Sequence, residues 1–271
     1  MAAPRKQSVG SGPRKARGGS TRRSGSRVLR ALGILVAIPI IGIAIFWFSL
    51  PSIEPLKARF PDSTALIDAR AEQARAQGKT ARRAQRYVPI SQISPWLQRA
   101  VVDSEDARFY LHGSVDEIEL KKALDKAMAE HKLGRGASTL TQQLAKNLWL
   151  GEKRSVWRKL REAAMADQLE KLGKERILEL YLNVVEWGDG IYGAEAAAQR
   201  WFGVRARDLA PEQAALLAAM LPAPRKRNPR RPSRKLKHRA NEVLELFGEY
   251  RQISGAELAS ARGRLNSMLG E

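Results

Sequence analysis

Hydrophobic and polar positions divide the chain into two unlike parts. Residues 31–50, ALGILVAIPIIGIAIFWFSL, run without a charged side chain. As a helix such a run spans about 30 Å, the thickness of a bilayer's hydrocarbon core. It predicts a transmembrane helix. Pro39 is tolerated in one, and Trp47 and Phe48 stand where aromatic residues suit a membrane interface. A core helix of this length would show polar positions, and FSLPSIE is a poor cleavage site for a signal peptide. Beyond it the periodicity is helical. Pro51, Pro55 and Pro61 punctuate a juxtamembrane stalk over 51–86 that carries an exposed polar helix, and YVPI (87–90) reads as a short strand or extended segment. Pro95 fits the first turn of a helix from about Ser94 to Glu105. Leu120, Leu124, Ala127 and Met128 mark one amphipathic stripe. Helices are predicted at about 138–149, 155–172, 174–187, 190–201, 209–221 and 234–248, with Gly173, Gly188 and Gly203 where C-terminal caps belong. No long alternating strand pattern occurs. The expected fold class is mainly α, with one domain over 87–250 and a polar tail over 251–271.

Charge sets the topology. The formal net charge is +20, which calls for an anionic partner or surface. Residues 1–30 contain Arg5, Lys6, Arg14, Lys15, Arg17, Arg22, Arg23, Arg27 and Arg30 and no acid. With their Gly and Ser content they are expected to be disordered. Positive charge stays in the cytoplasm, so the N-terminus is expected inside and residues 51–271 outside. That placement opposes a nucleic-acid partner, although basic patches by themselves suit one. There is no cysteine, which excludes disulfides and thiolate metal sites. His112, His131 and His238 are too scattered along the chain to suggest a metal cluster. No phosphate-binding loop, serine-nucleophile elbow or zincin motif occurs. The run PAPRKRNPRRPSRKLKHR (222–239) reads as a solvated loop or, by preference, as a contact with anionic lipid heads, at about 1 kcal/mol per basic residue.

Five clusters carry candidate chemistry. EDARFYLH (105–112) gathers Glu105, Asp106, Arg108 and His112 around Phe109. Partial burial there would tune a carboxylate and equip Glu105 as a general base, yet on this stretch alone a surface helix end accounts for the pattern. GASTLTQQLAKNLW (136–149) offers Ser138 or Thr139 as an N-cap. Gln143, Lys146 and Asn147 share one face at i, i+3, i+4. A helix N-terminus with a lysine suits a phosphate, and an ordinary capped helix explains the same residues equally well. RSVWRKLRE (154–162) sets Arg158 and Lys159 four and three positions before Glu162. Surface ion pairing is the plain account; the sharper one is a carboxylate held by cations, beside Arg154, where a diphosphate binds. KERILELYLNVVEWG (174–188) carries a core stripe, with Glu179 and Asn183 placed to buttress. GIYGAEAAAQRWFG (190–203) has the small residues of close helix packing.

In order and spacing these motifs resemble those of the peptidoglycan glycosyltransferases, glycosyltransferase family 51, across about residues 90–225. No transpeptidase domain follows, so the chain most resembles the monofunctional biosynthetic transglycosylases rather than the bifunctional penicillin-binding proteins. The resemblance implies a lysozyme-like α fold with a membrane-associated jaw lobe. It implies an inverting polymerase of lipid II, a disaccharide carried on a lipid diphosphate, at the outer face of the bacterial inner membrane. Under it Glu105 is the general base and Glu162 the second essential carboxylate. Lys146 and Arg154 contact the diphosphate, and Ser138, Gln143 and Asn147 form the polar wall. Asp106, Phe109, Arg158 and Lys159 lie within the motifs. It leaves room for Mg²⁺ or another divalent cation at Glu162, and for other cell-wall synthesis proteins as partners. Ala137 stands where the family commonly has glycine, and Ser114 leaves the turn after His112 open. The rival reading is a membrane-anchored lytic transglycosylase or lysozyme-like hydrolase. The cation-rich helix faces at 143–161 argue against it, because glycan cleavage needs no diphosphate site.

Overall fold

The computed structural model describes residues 1–2, 22–130, 138–151 and 155–270. They form two compact units, Met1–Leu50 and Pro51–Glu271. In the first, helix α1 spans Arg22–Phe48 with Pro39 inside it. From Leu32 onward its large apolar side chains, Phe46 excepted, are exposed. Among the described residues no helix is long and apolar enough to cross a membrane.

The second unit is built around a helix that is apolar on all sides. Helix α9, Pro211–Met220, buries every residue from Ala214 to Met220, as a helix enclosed by neighbours must. Around it pack α3 (Pro95–Glu105), α10 (Arg234–Glu249) and α11 (Gly255–Leu269). Ser94 caps α3 by accepting the Trp96 N–H, and Pro95 fills the first turn. Leu97, Ala100 and Val101 then face the core at helical spacing. Helix α11 departs from the expected polar tail. It opens with a Ser254–Glu257 capping box and buries Ala261, Leu265 and Leu269. Arg264 also binds Glu212 through two hydrogen bonds of 2.6 and 3.0 Å. One apolar residue per turn is a sparse pattern, which is why the sequence reads as polar there.

Residues 51–86 likewise belong to this unit and are not a free stalk. Helix α2, Ala65–Ala76, is capped by Thr64 and buries Leu66 and Ile67. Ile53 and Leu56 are buried too, and Arg176 donates to the carbonyls of Leu56 and Arg59.

The helix expected over 174–187 ends early. Helix α7 covers Lys174–Val184, and the chain turns back through β2 (Glu186–Gly188) and β3 (Ile191–Tyr192), which pair antiparallel. Strand β1, Ala84–Gln85, adds parallel to β3, so the order is β1-β3-β2. Gly190 makes the turn. Its φ is +71°, and a Cβ there would meet the Arg82 carbonyl oxygen at 2.7 Å. Helix α8, Ala194–Phe202, begins later than expected because Gly193, at φ +82°, lies against the Asn183 carbonyl. Glu179 and Asn183 do buttress, but they brace the segment before α3. Asn183 exchanges hydrogen bonds with both backbone groups of Val88, and Glu179 accepts the Ile90 N–H at 2.7 Å.

The remaining elements are α4 (Glu117–Glu130), α5 (Leu140–Ala145) and α6 (Val156–Glu170). Helix α5 continues into a π turn over Lys146–Leu150. The stripe on α4 is not core: no residue of α4 is buried, and Ile118, Leu120, Leu124 and Met128 are exposed.

Candidate active site

Glu105 is the last residue of α3, where the helix ends at Asp106. A carboxylate at a helix C-terminus gains nothing from the helix dipole, so its state depends on neighbours from elsewhere in the fold. Gln143 on α5 donates to Glu105 Oε2 at 3.3 Å. Gln143 is itself oriented by Tyr181 of α7, whose buried hydroxyl donates to its Oε1 at 3.0 Å. The amide can therefore present only its NH₂ to the carboxylate. Burial raises the Glu105 pKa; the Gln143 hydrogen bond and the charges of Arg239, Lys146 and Arg227 pull it back. The net direction is upward, toward a better proton acceptor.

Asp106 does structural work beside it. One oxygen accepts the Leu140 N–H at 2.8 Å, at the start of α5, and the other lies 2.7 Å from His112 Nε2. The expected N-cap choice resolves to Thr139, which accepts the Gln142 N–H. The turn after His112, left open by Ser114, is tied to the same helix: the Ser114 carbonyl accepts from Thr139 Oγ1 and Gln142 Nε2. Phe109 is fully buried, with the Lys174 ammonium 4.6 Å from its ring centre. A cavity of about 240 Å³ opens beside this corner, lined by Glu105, Asp106, Arg108 and Ser138 among others.

Glu162 lies on α6 and is buried. Arg158 Nη1 and Lys159 Nζ each bind one of its oxygens, the latter at 2.6 Å. Lys159 also donates to Gln142 Oε1 at 3.0 Å and reaches Ser138 Oγ at 3.4 Å, joining the second and third sequence motifs. Gln143, Lys146, Asn147 and Tyr181 line a further cavity of about 170 Å³. The π turn that begins at Lys146 keeps the expected face together, and such turns recur at functional sites. Arg154 lies outside the described residues.

Both oxygens of Glu162 already accept from cationic side chains, so a divalent cation there would share the carboxylate with Arg158 and Lys159. The fold does bring His112 together with Asp106 and Asp116, which the spacing of the histidines did not suggest. Their oxygens are engaged by the Leu140, Ile118 and Glu119 N–H groups and by Arg108. That pattern is a loop brace.

Sequence reasoning missed three residues. Arg227 and Arg239 came from the run read as loop or lipid contact. They carry charge toward Glu105, and Arg239 donates to the Ser104 carbonyl at 3.0 Å. Tyr181 falls within the core stripe of the fourth motif; its hydroxyl, which needs a partner when buried, is the available signal. In the same run Arg230, Arg231 and Arg234 remain exposed.

Residues 72–247 match the family model described as Transglycosylase. A biosynthetic peptidoglycan transglycosylase of Nitrosomonas eutropha is 42% identical over 218 residues, covering 80% of this chain and 88% of that protein. Those of Nitrosospira multiformis and an Azoarcus species are 46% and 48% identical, each covering 61% of this chain and 72% of the relative.

Proposed function

The chain belongs to the transglycosylase family, and from that premise we propose that Glu105 is the general base of a glycan-polymerising reaction. The chain is a biosynthetic peptidoglycan glycosyltransferase that polymerises glycan strands in cell-wall synthesis. Its substrate is lipid II. The growing strand, linked α to a lipid diphosphate, is the donor, and the 4-hydroxyl of an incoming lipid II is the nucleophile. As that oxygen bonds to the donor's anomeric carbon, its proton passes to Glu105. The bond to the diphosphate breaks on the opposite face, so α becomes β and no covalent enzyme intermediate forms. The diphosphate is a good leaving group and takes the electron pair. Lys146 and Arg154 meet its charge, and Glu162 holds Arg158 and Lys159 in place. Ser138, Gln143 and Asn147 line the path of the sugars. The observation that carries this reading is a half-enclosed carboxylate of raised pKa, held by an oriented amide and faced by three cations.

The pH profile tests the assignment of the base. Glu105 must be ionised to accept a proton, so kcat/KM falls as pH drops through its pKa. Because burial raises that pKa, the acid limb should lie above the ordinary carboxylate range of about 4. Arg239→Gln removes a charge that favours the ionised form, so the limb should move to higher pH. A limb that stays put in this variant contradicts the assignment. The hydrolase alternative is tested by offering labelled lipid II and finished peptidoglycan to the same protein; consumption of the second alone overturns the proposal.

The enzyme works at the membrane. The apolar run 31–50 anchors it, with the basic N-terminus inside and the catalytic unit outside. The exposed apolar side chains of α4, with Tyr110, Leu111, Val156, Trp157 and Leu160, supply a lipid-dipping jaw; exposed apolar surface of this kind marks a contact site. With residues 51–271 alone, Leu120→Ser/Leu124→Ser/Met128→Ser should lower vesicle binding at any ionic strength. Arg230→Gln/Arg231→Gln/Arg234→Gln should lower it only on anionic vesicles at low salt. Unchanged co-sedimentation of both variants contradicts the lipid contact.

A further inference from the structure

A cavity of about 700 Å³ lies outside the chemistry above, lined by Arg70, Lys79, Arg82, Glu186, Asp189 and Arg225 among others. It shares Arg70 and Glu186 with the smaller cavity that holds Gln143, Lys146, Asn147 and Tyr181. A chain seated in the cleft therefore meets this cavity next. Four cations face two carboxylates here, so the lining favours an anion.

The walls are partly built. Arg70 Nε binds Glu186 Oε2 at 3.0 Å. Arg225 binds Asp189 Oδ1 at 3.2 Å and Gln73 Oε1 at 2.9 Å. Glu186 is 2% exposed, and its second oxygen, Oε1, has no hydrogen-bond partner. The Gly190 N–H lies near enough to favour the ionised form but makes no bond of normal geometry. A buried carboxylate oxygen left unpaired is costly, and a ligand N–H would satisfy it.

The complementary ligand thus carries both an N–H donor and carboxylates. A bare sugar strand offers no anion for the cation rim. A phosphodiester or fully ionised phosphate offers no donor to Glu186 and would be repelled by it. A peptide with free carboxylates offers both, and each muramoyl sugar of the strand carries one.

We propose that this cavity is a subsite for the stem peptide of the growing strand, with a peptide N–H on Glu186 Oε1 and peptide carboxylates on Arg225, Arg82 and Lys79. The inference rests on the polymerase reading above. The test uses the full chain and two substrates: lipid II, and lipid II with its peptide carboxylates converted to amides. Arg82→Gln/Arg225→Gln should raise KM for lipid II at least about tenfold, since one charge-assisted hydrogen bond alone is worth that factor. Wild type should lose a similar factor on the amidated substrate, and the variant, which keeps only Lys79 of the three cations, should lose much less. Thermal melting of both proteins separates a folding defect from a binding one. Equal loss by the variant on both substrates, or no loss on lipid II, overturns the subsite. If wild type polymerises neither substrate, the polymerase reading itself fails.

Discussion

Glu105→Gln is expected to cut glycan polymerisation by about 10²–10⁴-fold, the usual contribution of a positioned general base. The amide keeps the size of the side chain and can still accept from Gln143 Nε2, but it cannot take a proton. The fold should survive, and the sign can be worked out. Burial raises the Glu105 pKa, so the folded state binds that proton more tightly than the unfolded chain does. The associated stability is present at low pH and is lost as pH rises through the folded pKa. At neutral pH the ionised carboxylate is therefore a cost, and the amide removes it. The melting temperature of the variant should be no lower than that of wild type. Strand synthesis from labelled lipid II, read beside a thermal melt, checks both halves. Undiminished synthesis would remove Glu105 from the mechanism.

Glu162→Ala should lose both activity and stability. Removing one partner of a buried ion pair leaves uncompensated charge, at a cost of about 3–5 kcal/mol. The low end applies here, about 3 kcal/mol, because Lys159 is 49% exposed and keeps much of its hydration. Arg158 is only 18% exposed and bears most of the effect. In a domain of this size that is a fall of roughly 6–12 °C in Tm. Activity should drop by at least about 10²-fold even where the variant is fully folded, because Arg158 and Lys159 lose the carboxylate that aims them. Wild-type turnover by the folded variant at low temperature would make Glu162 a purely structural residue.

The site was legible in the chain where its parts are local. Glu105 and Asp106 at a helix end, Gln143 with Lys146 on one helix face, and Arg158 and Lys159 a turn before Glu162 are all short-range patterns. Helical spacing alone puts Gln143 with Lys146, and Arg158 and Lys159 with Glu162, on a common surface. What was not legible spans long separations. Arg239 meets the Ser104 carbonyl 135 positions away in sequence, and nothing in the 222–239 run distinguishes Arg227 and Arg239 from the cations that stay in water. Arg70 and Glu186 are 116 positions apart, so the cavity they share had no sequence signature.

The family resemblance named Glu105 as the candidate base; the sequence by itself determined the mainly helical character and the capped starts of α3 and α5. Those follow from propensity, capping and period, which act over a few residues. Tertiary structure decided that residues 51–86 and 251–271 join the same compact unit, that Gly190 and Gly193 turn the chain into a small sheet, and that the stripe on α4 faces outward. It also decided which basic residues reach Glu105. A side chain's burial and field depend on neighbours brought in by chain folding, and no local pattern records them.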